Sequence, residues 1–288
     1  MAPIGWTNDD MPDLGGEIPF EQCISEMALA GYEGTEIGNK YPADPNELRR
    51  FLDIRGLSVC NKWFSSYLVS KPYEEVETAF RRELRFLKAM GAKVIGPSEQ
   101  TRSCQGNRRA SVFTEKAVFT DAEWDRLCAG LDSLGRIARD EGLKLCFHHH
   151  MGTGVQTADE IDRLLRNTDP ELVWLLYDSG HLAFAGEDPL TVLEEYTERV
   201  GHVHLKDLRS EILREAAVRD ISFLDAVRQG VFTVPGDGFI DFERIFELLE
   251  RVGYRGWMVV EAEQDPAVAN PFEYAVMARE YIRSVGGL

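Results

Sequence analysis

Tyr73-Glu74-Glu75-Val76-Glu77-Thr78-Ala79-Phe80-Arg81-Arg82-Glu83-Leu84-Arg85-Phe86-Leu87-Lys88-Ala89-Met90-Gly91-Ala92-Lys93-Val94-Ile95 reads as one helix-to-strand unit. Val76, Phe80, Leu84, Leu87 and Met90 recur at intervals of three or four residues, so a single stripe of the helix is apolar and seeks a core. Gly91 stops the helix, because glycine enters the left-handed conformation of a helix C-terminus without a Cβ penalty, and Lys93 to Ile95 opens a strand. The phrase returns at Ala30-Gly31-Tyr32-Glu33-Gly34, Glu141-Gly142-Leu143-Lys144 and Val252-Gly253-Tyr254-Arg255-Gly256, the last after a second amphipathic stretch, Phe242 to Val252.

Strands are predicted at Pro3 to Trp6, Gly34 to Ile37, Leu57 to Trp63, Lys93 to Ile95, Leu143 to Phe147, Leu172 to Tyr177, Val200 to Leu205 and Gly256 to Val260, alternating with helical segments. Eight units in 288 residues fit an α/β chain folded as a single (β/α)8 TIM barrel, parallel and eight-stranded, with the active site at the C-terminal ends of its strands. The whole chain, 1–288, is read as one domain. Two connections are enlarged, 97–120 and 207–241, the second with a helix expected around Ile221 to Gln229. Both follow strands and so fall on the active face. A doubly wound open sheet is the alternative, but the glycine-rich GxGxxG after the first strand is missing.

Lysine and arginine total 32 against 49 aspartates and glutamates, a net charge of −17, which opposes nucleic acid as a partner. No apolar run approaches the ~20 residues of a membrane span, and Met1 to Asp10 lacks the features of a signal peptide, so a cytoplasmic protein is expected. Cys23, Cys60, Cys104, Cys128 and Cys146 are an odd, widely spaced set without a CxxC pair, which reads as reduced thiols.

All six histidines lie between positions 148 and 204, in or just beyond predicted strand ends. Strand five ends in Cys146-Phe147-His148-His149-His150, strand six in Tyr177-Asp178-Ser179-Gly180-His181, strand seven contains His202-Val203-His204-Leu205-Lys206-Asp207, and strand eight ends in Val260-Glu261-Ala262-Glu263. Residues two apart on a strand share a face, so His202 pairs with His204 and Glu261 with Glu263. A lone buried histidine is more often a hydrogen-bonded core residue. Six delivered by adjacent strands together with carboxylates instead satisfy one another by sharing a divalent cation. Such mixed nitrogen and oxygen donors suit manganese, cobalt, iron or zinc. The expected ligands are His148, Asp178, His204 and Glu261, with His148 and His150 competing for the strand-five place and His149 facing away. Asn8, Glu36, Asn39 and Lys40 follow strands one and two, Lys62 and Trp63 close strand three, and Asn8, Glu36, Asn39, Lys62 and Glu263 are the candidates for binding substrate. Pro235-Gly236-Asp237-Gly238 is read as a turn rather than a phosphate-binding nest, and the loop arginines Arg102, Arg108 and Arg109 are given no role.

Asp178-Ser179-Gly180-His181, His202-x-His204 and Val260-Glu261 resemble motifs of the sugar isomerase/epimerase-type metal-dependent barrels. Trp6-Thr7-Asn8-Asp9-Asp10, Glu36-x-Gly38-Asn39-Lys40, His148 to Thr153, Val231 to Gly238 and Val260 to Pro266 resemble, more closely, the inosose dehydratase family of inositol catabolism. The likeness runs from about Trp6 to Tyr281. It implies a carbon–oxygen lyase (hydro-lyase) that dehydrates 2-keto-myo-inositol (scyllo-inosose) to a trihydroxycyclohexane-1,2-dione, with manganese or cobalt and, in family descriptions, glutathione. The partner it implies is a small cyclic polyol ketone, with homo-oligomers left open. Two positions depart from the pattern: His148 stands where the wider superfamily carries glutamate, and Asn61-Lys62-Trp63 replaces a Gly-Trp sequence.

The implied chemistry agrees with the residues. A hydrogen α to a ketone becomes removable when the developing enolate oxygen faces a cation, and a positioned group must then protonate the departing hydroxyl. Histidine suits both tasks. His150 or His148 is expected as base and acid, with His181 and Lys206 polarising substrate oxygens. The rivals are a sugar or ketose isomerase or epimerase on the same scaffold, an endonuclease IV-like barrel that the acidity disfavours, and a noncatalytic sugar-binding barrel with structural zinc.

Overall fold

The computed structural model describes residues 1–288. Its strands are β1 (Gly34–Thr35), β2 (Ser58–Val59), β3 (Trp63–Ser66), β4 (Val94–Glu99), β5 (Lys144–His148), β6 (Val173–Asp178), β7 (Val200–Leu205), β8 (Asp207–Leu208), β9 (Phe232–Thr233) and β10 (Met258–Val260). Six form one parallel sheet in the order β10-β7-β6-β5-β4-β3, and β1 pairs with β2. Backbone bonds carry the pairing round the remaining arc. Ala2 N donates to Val260 O at 2.9 Å, Glu36 N to Met1 O at 3.2 Å, Ile37 N to Asn61 O at 3.3 Å and Gly96 N to Lys62 O at 3.1 Å. The ring of an eightfold barrel is therefore traced, with helices outside it.

The first strand lies earlier than the sequence suggests. Met1 and Ala2 occupy that place, while Pro3–Gly5 is a short 3-10 turn and Trp6 is fully buried. The third predicted strand divides into β2 and β3, with Cys60 to Lys62 belonging to neither. The helix Tyr73–Met90 forms as read: Val76, Phe80, Leu84 and Leu87 are buried and Gly91 takes φ +79°. The main apolar cluster joins 74 buried residues. Burial at ~25 cal/mol per Å² of apolar surface is the driving force here, offset by the entropy of ordering the chain.

Residues Val94–Glu99 are all strand, so the first enlarged connection begins at Gln100 rather than at residue 97. Glu99, fully buried at the strand end, accepts from Ser66 Oγ at 2.6 Å and from Leu68 N at 2.9 Å, which ties it to structure. The second connection holds the antiparallel pair β8–β9 and helices Ser210–Val218 and Phe223–Arg228, the latter capped by Ser222 and matching the expected helix within two residues. The two connections lock together through Arg108 and Asp225 at 2.7 Å, and through Ser111 and Thr114 on Asp220. The Gly236–Gly238 turn is filled from within. Asp207 accepts from Gly236 N at 3.3 Å, Gly238 N at 3.0 Å, Ile240 N at 3.0 Å and Leu208 N at 2.8 Å. All five cysteines are free and buried, and no helix is long and apolar enough to cross a membrane.

Candidate metal centre

Register brings the reactive groups level. Asp178 ends β6 opposite His204 of β7, Leu176 lies opposite His202, and His204 lies opposite Val259 of β10, two residues before Glu261. With side chains alternating along each strand, Asp178 and His204 project together at the C-terminal rim. Gly180 is required there, since a Cβ would sit 2.4 Å from Cγ of Lys206.

The four expected ligands lie in one chain of contacts, with His148, Asp178 and His204 close enough together to share an ion and Glu261 reached through His204. His148 Nε2 lies 3.4 Å from Asp178 Oδ2, His204 Nδ1 lies 3.3 Å from the same oxygen, and His204 Nδ1 lies 3.2 Å from Glu261 Oε2. Donors held ~2.0–2.2 Å from one cation stand roughly 3.0–3.6 Å from each other, so these spacings match edges of a coordination polyhedron. His204 Nδ1, although buried beside two carboxylates, is not aligned for a hydrogen bond to either. An unpartnered buried nitrogen is costly, and a shared cation satisfies it. The residues fit a divalent ion.

Charge supports the fit. Four carboxylates, Glu36, Asp178, Glu261 and Glu263, are buried around the centre with one buried ammonium, Lys206, which faces the last three. Lys206 Nζ lies 2.7 Å from Glu261 Oε1, 2.9 Å from Glu263 Oε2 and 3.7 Å from Asp178 Oδ2. Burial pulls its proton affinity down, but these carboxylates outweigh that and hold the ammonium charged. Burial raises Asp178, yet Lys206 and His181 bring it well below the usual range. The remaining negative excess draws protons: burial, augmented by Glu261 and opposed by Lys206, pushes Glu263 up to about 7. Burial lowers His204, but Glu261 and Glu36 raise it well above the ordinary imidazole range. A divalent ion would take the place of those protons.

A cavity of about 630 Å³ opens on this centre, lined by His148, His150, His204, Glu36, Glu261 and Glu263, among others. His150 Nδ1 donates to Met151 O at 2.9 Å, leaving Nε2 with its lone pair. Burial, with His148 and Lys206 adding to it, keeps that ring neutral. The Trp63 ring stands 5.3 Å from the His148 ring and 5.5 Å from that of His150, walling both. His149 faces away as expected: its Nε2 accepts from Asp178 N at 3.3 Å, and burial lowers its pKa to about 3.

Other candidates are placed differently. Asn8 is absent from the cavity wall, because its Oδ1 is held by Asp10 N at 3.0 Å and Met11 N at 2.9 Å in a tight turn that instead presents Asp9 and Asp10. Lys40 is likewise occupied, by the carbonyls of Gly15, Gly16 and Ile18. Asn39 and Lys62 do line the cavity, the latter with Nζ 2.5 Å from Glu83 Oε2. His181 and Lys206 lie behind the wall, 3.0 Å from each other and fully buried, so neither presents itself to a substrate oxygen. Glu36 lines the cavity, yet its Oε1 accepts from His202 Nε2 at 3.0 Å and His204 Nε2 at 2.9 Å. Gln105, Asp9 and Asp10 at the rim were missed, since nothing in a loop sequence announces where it folds over. Only the turn-forming Asn8 offered a signal for Asp9 and Asp10.

The chain matches the model of the xylose isomerase-like TIM barrel family over residues 9–285. It is 59% identical over 288 residues to an inosose dehydratase of Geobacillus thermodenitrificans, covering 100% of this chain and 97% of that protein. A Clostridium beijerinckii inosose dehydratase is 56% identical over 287 residues, covering 100% and 96%. Among solved structures, the IOLI protein with a bound zinc atom superposes with a TM-score of 0.70 at 16% identity, over 93% of each chain, a likeness of fold. Sequence and fold together place the chain in the inosose dehydratase family of xylose isomerase-like TIM barrels.

Proposed function

We propose that the chain removes water from 2-keto-myo-inositol to give a trihydroxycyclohexane-1,2-dione in inositol catabolism. One observation carries the reading: His148, Asp178, His204 and Glu261 converge beside a neutral His150 in a cavity large enough for a cyclic polyol ketone. Such convergence has the chemistry that the names of the relatives describe. A divalent ion held by those four residues supplies electrophilic stabilisation of the oxyanion as the α-proton leaves. Manganese or cobalt is the proposed ion, zinc or iron being compatible with the same donors.

His150 Nε2 takes the proton from the carbon α to the ketone, since Nδ1 is already committed to the Met151 carbonyl. The carbon–oxygen bond to the β-hydroxyl then breaks, and the proton collected by His150 returns to the departing oxygen as water forms. The enol left behind tautomerises to the dione. Trp63 packs edge-on against both histidine rings, which are almost wholly buried. Asn39, Lys62 and Glu263 are proposed to bind the ring hydroxyls, and Asp9 and Asp10 take the place first given to Asn8. Lys206 and His181 act from behind, Lys206 by balancing Glu261 and Glu263. The proposed setting is the cytoplasm, with glutathione an added component of the reaction mixture and self-association an open partner choice.

The test follows the ultraviolet absorbance of the dione from inosose, with and without glutathione, before chelation, after it, and after manganese or cobalt is restored. Turnover lost and regained with the metal is expected. An epimerase would invert a carbinol centre and release no dione, and that outcome would displace this reading.

A further inference from the structure

We infer that Glu36 is a positioning residue that fixes the tautomer and orientation of His204 at the metal centre. The inference rests on the proposed ligand set. Three donors meet on one oxygen: Glu36 Oε1 accepts from His204 Nε2 at 2.9 Å, His202 Nε2 at 3.0 Å and Asn61 Nδ2 at 3.0 Å. A carboxylate only accepts, so when His204 is neutral, as a metal ligand must be, its proton sits on Nε2 and the Nδ1 lone pair turns inward. That lone pair faces Asp178 Oδ2 at 3.3 Å and Glu261 Oε2 at 3.2 Å without an aligned bond to either. A cation shared with the two carboxylates satisfies that lone pair, as a proton on Nδ1 does when no metal is bound.

The bracing spans the barrel. Glu36 follows β1, Asn61 lies between β2 and β3, and both histidines come from β7, so the carboxylate ties segments more than 160 residues apart at one oxygen. Gly96 of β4 makes the room: a Cβ there would stand 2.9 Å from Asn61 Nδ2. A carboxylate on the far nitrogen of a ligand imidazole fixes the ring and raises its basicity, and removing such a partner weakens metal binding ~10–100-fold. Glu36, His202 and His204 are also close enough together to hold an ion of their own. The Asn61 amide donor on the same oxygen, and the hydrogen-bond alignment of both imidazoles, favour the brace.

The experiment titrates cobalt(II) into the metal-free full chain and reads its visible absorption, with the thermal midpoint of the metal-free protein as the folding control. Wild type should bind one cobalt per chain. Glu36→Gln should still bind one, about 10–100-fold more weakly, with displaced absorption bands and an unchanged metal-free midpoint. His202→Gln, which leaves Glu36 in place and removes one of its supports, should weaken binding in the same direction and serves if Glu36→Gln fails to fold. Unchanged affinity and bands in the variant that folds would overturn the inference. So would two cobalt ions in wild type falling to one in Glu36→Gln, because Glu36 would then be a ligand itself. Asp178→Asn, which does not touch Glu36, separates the premise: if it leaves cobalt binding intact, the ligand set is wrong and the brace falls with it.

Discussion

Asp178 divides its carboxylate between two tasks, and Asp178→Asn separates them. Oδ1 accepts from His181 N at 2.8 Å and caps the helix Ser179–Phe184, whereas Oδ2 faces His148 and His204. Asparagine caps a helix about as well as aspartate, so the variant keeps the first task and loses the anionic donor of the second. Metal present at 100 times its dissociation constant stabilises wild type by about 2.7 kcal/mol. At ~2–4 °C per kcal/mol for a chain of this order, the midpoint should rise by about 5–11 °C. Loss of a direct anionic donor should weaken binding at least as much as loss of an outer partner does at its upper limit, roughly 100-fold. The same metal concentration would then lie near the variant's dissociation constant, leaving about 0.4 kcal/mol, a rise of ~1 °C. Asp178→Ala should show the same loss of metal response and a further ~1 kcal/mol deficit without metal from the missing cap. The assay is thermal unfolding of metal-free protein with graded manganese or cobalt. A full metal-dependent rise in Asp178→Asn would refute the reasoning, since Oδ2 would then contribute nothing to the ion.

Three further outcomes are expected. His150→Gln should slow exchange of solvent deuterium into the α-carbon of inosose by about 10²–10⁴-fold, the range of a general base, with metal content unchanged; undiminished exchange removes His150 from that role. Asp207→Asn turns an amide donor toward backbone N–H groups now bound by a carboxylate oxygen, leaving two of them unsatisfied. It should cost about 2–5 kcal/mol, measured by urea unfolding, and a cost under about 0.5 kcal/mol would contradict the account. Lys206→Met removes the ammonium between Glu261 and Glu263 and should destabilise the metal-free protein by roughly 3–5 kcal/mol; a more stable variant would show that the ammonium is not what holds those carboxylates.

The repeated helix–glycine–strand phrase made the barrel legible, because local periodicity and the left-handed Gly91 are encoded within a few residues of one another. The first strand was misplaced for an opposite reason: Met1 and Ala2 pair by backbone alone, too short a segment for any pattern. Helix Ser210–Val218 went unread because its apolar face is short, with only Ala216 fully buried and Ile212 and Leu213 partly buried against the core. At the candidate centre, residue type and strand position were enough to bring His148, Asp178, His204 and Glu261 together. Sequence could not divide labour between His148 and His150; the division proposed above rests on the carbonyl of Met151, which claims one nitrogen of His150. Asn8 illustrates the limit, since a pocket residue and a turn-forming asparagine look alike until the chain folds. The bonds from Glu36 to His202 and His204 cross more than 160 residues of sequence and leave no local trace.

Asp207 has a consequence for what this barrel can admit. Barrels of this architecture often seat a phosphoryl group on free amides beyond their seventh and eighth strands. Here the amides of Gly236 and Gly238 already grip a carboxylate supplied by the chain itself. Lys62, a cation at the cavity mouth, is paired with Glu83. Those two glycine amides are closed to an anionic substituent, which would meet the Asp207 carboxylate there instead of a free donor.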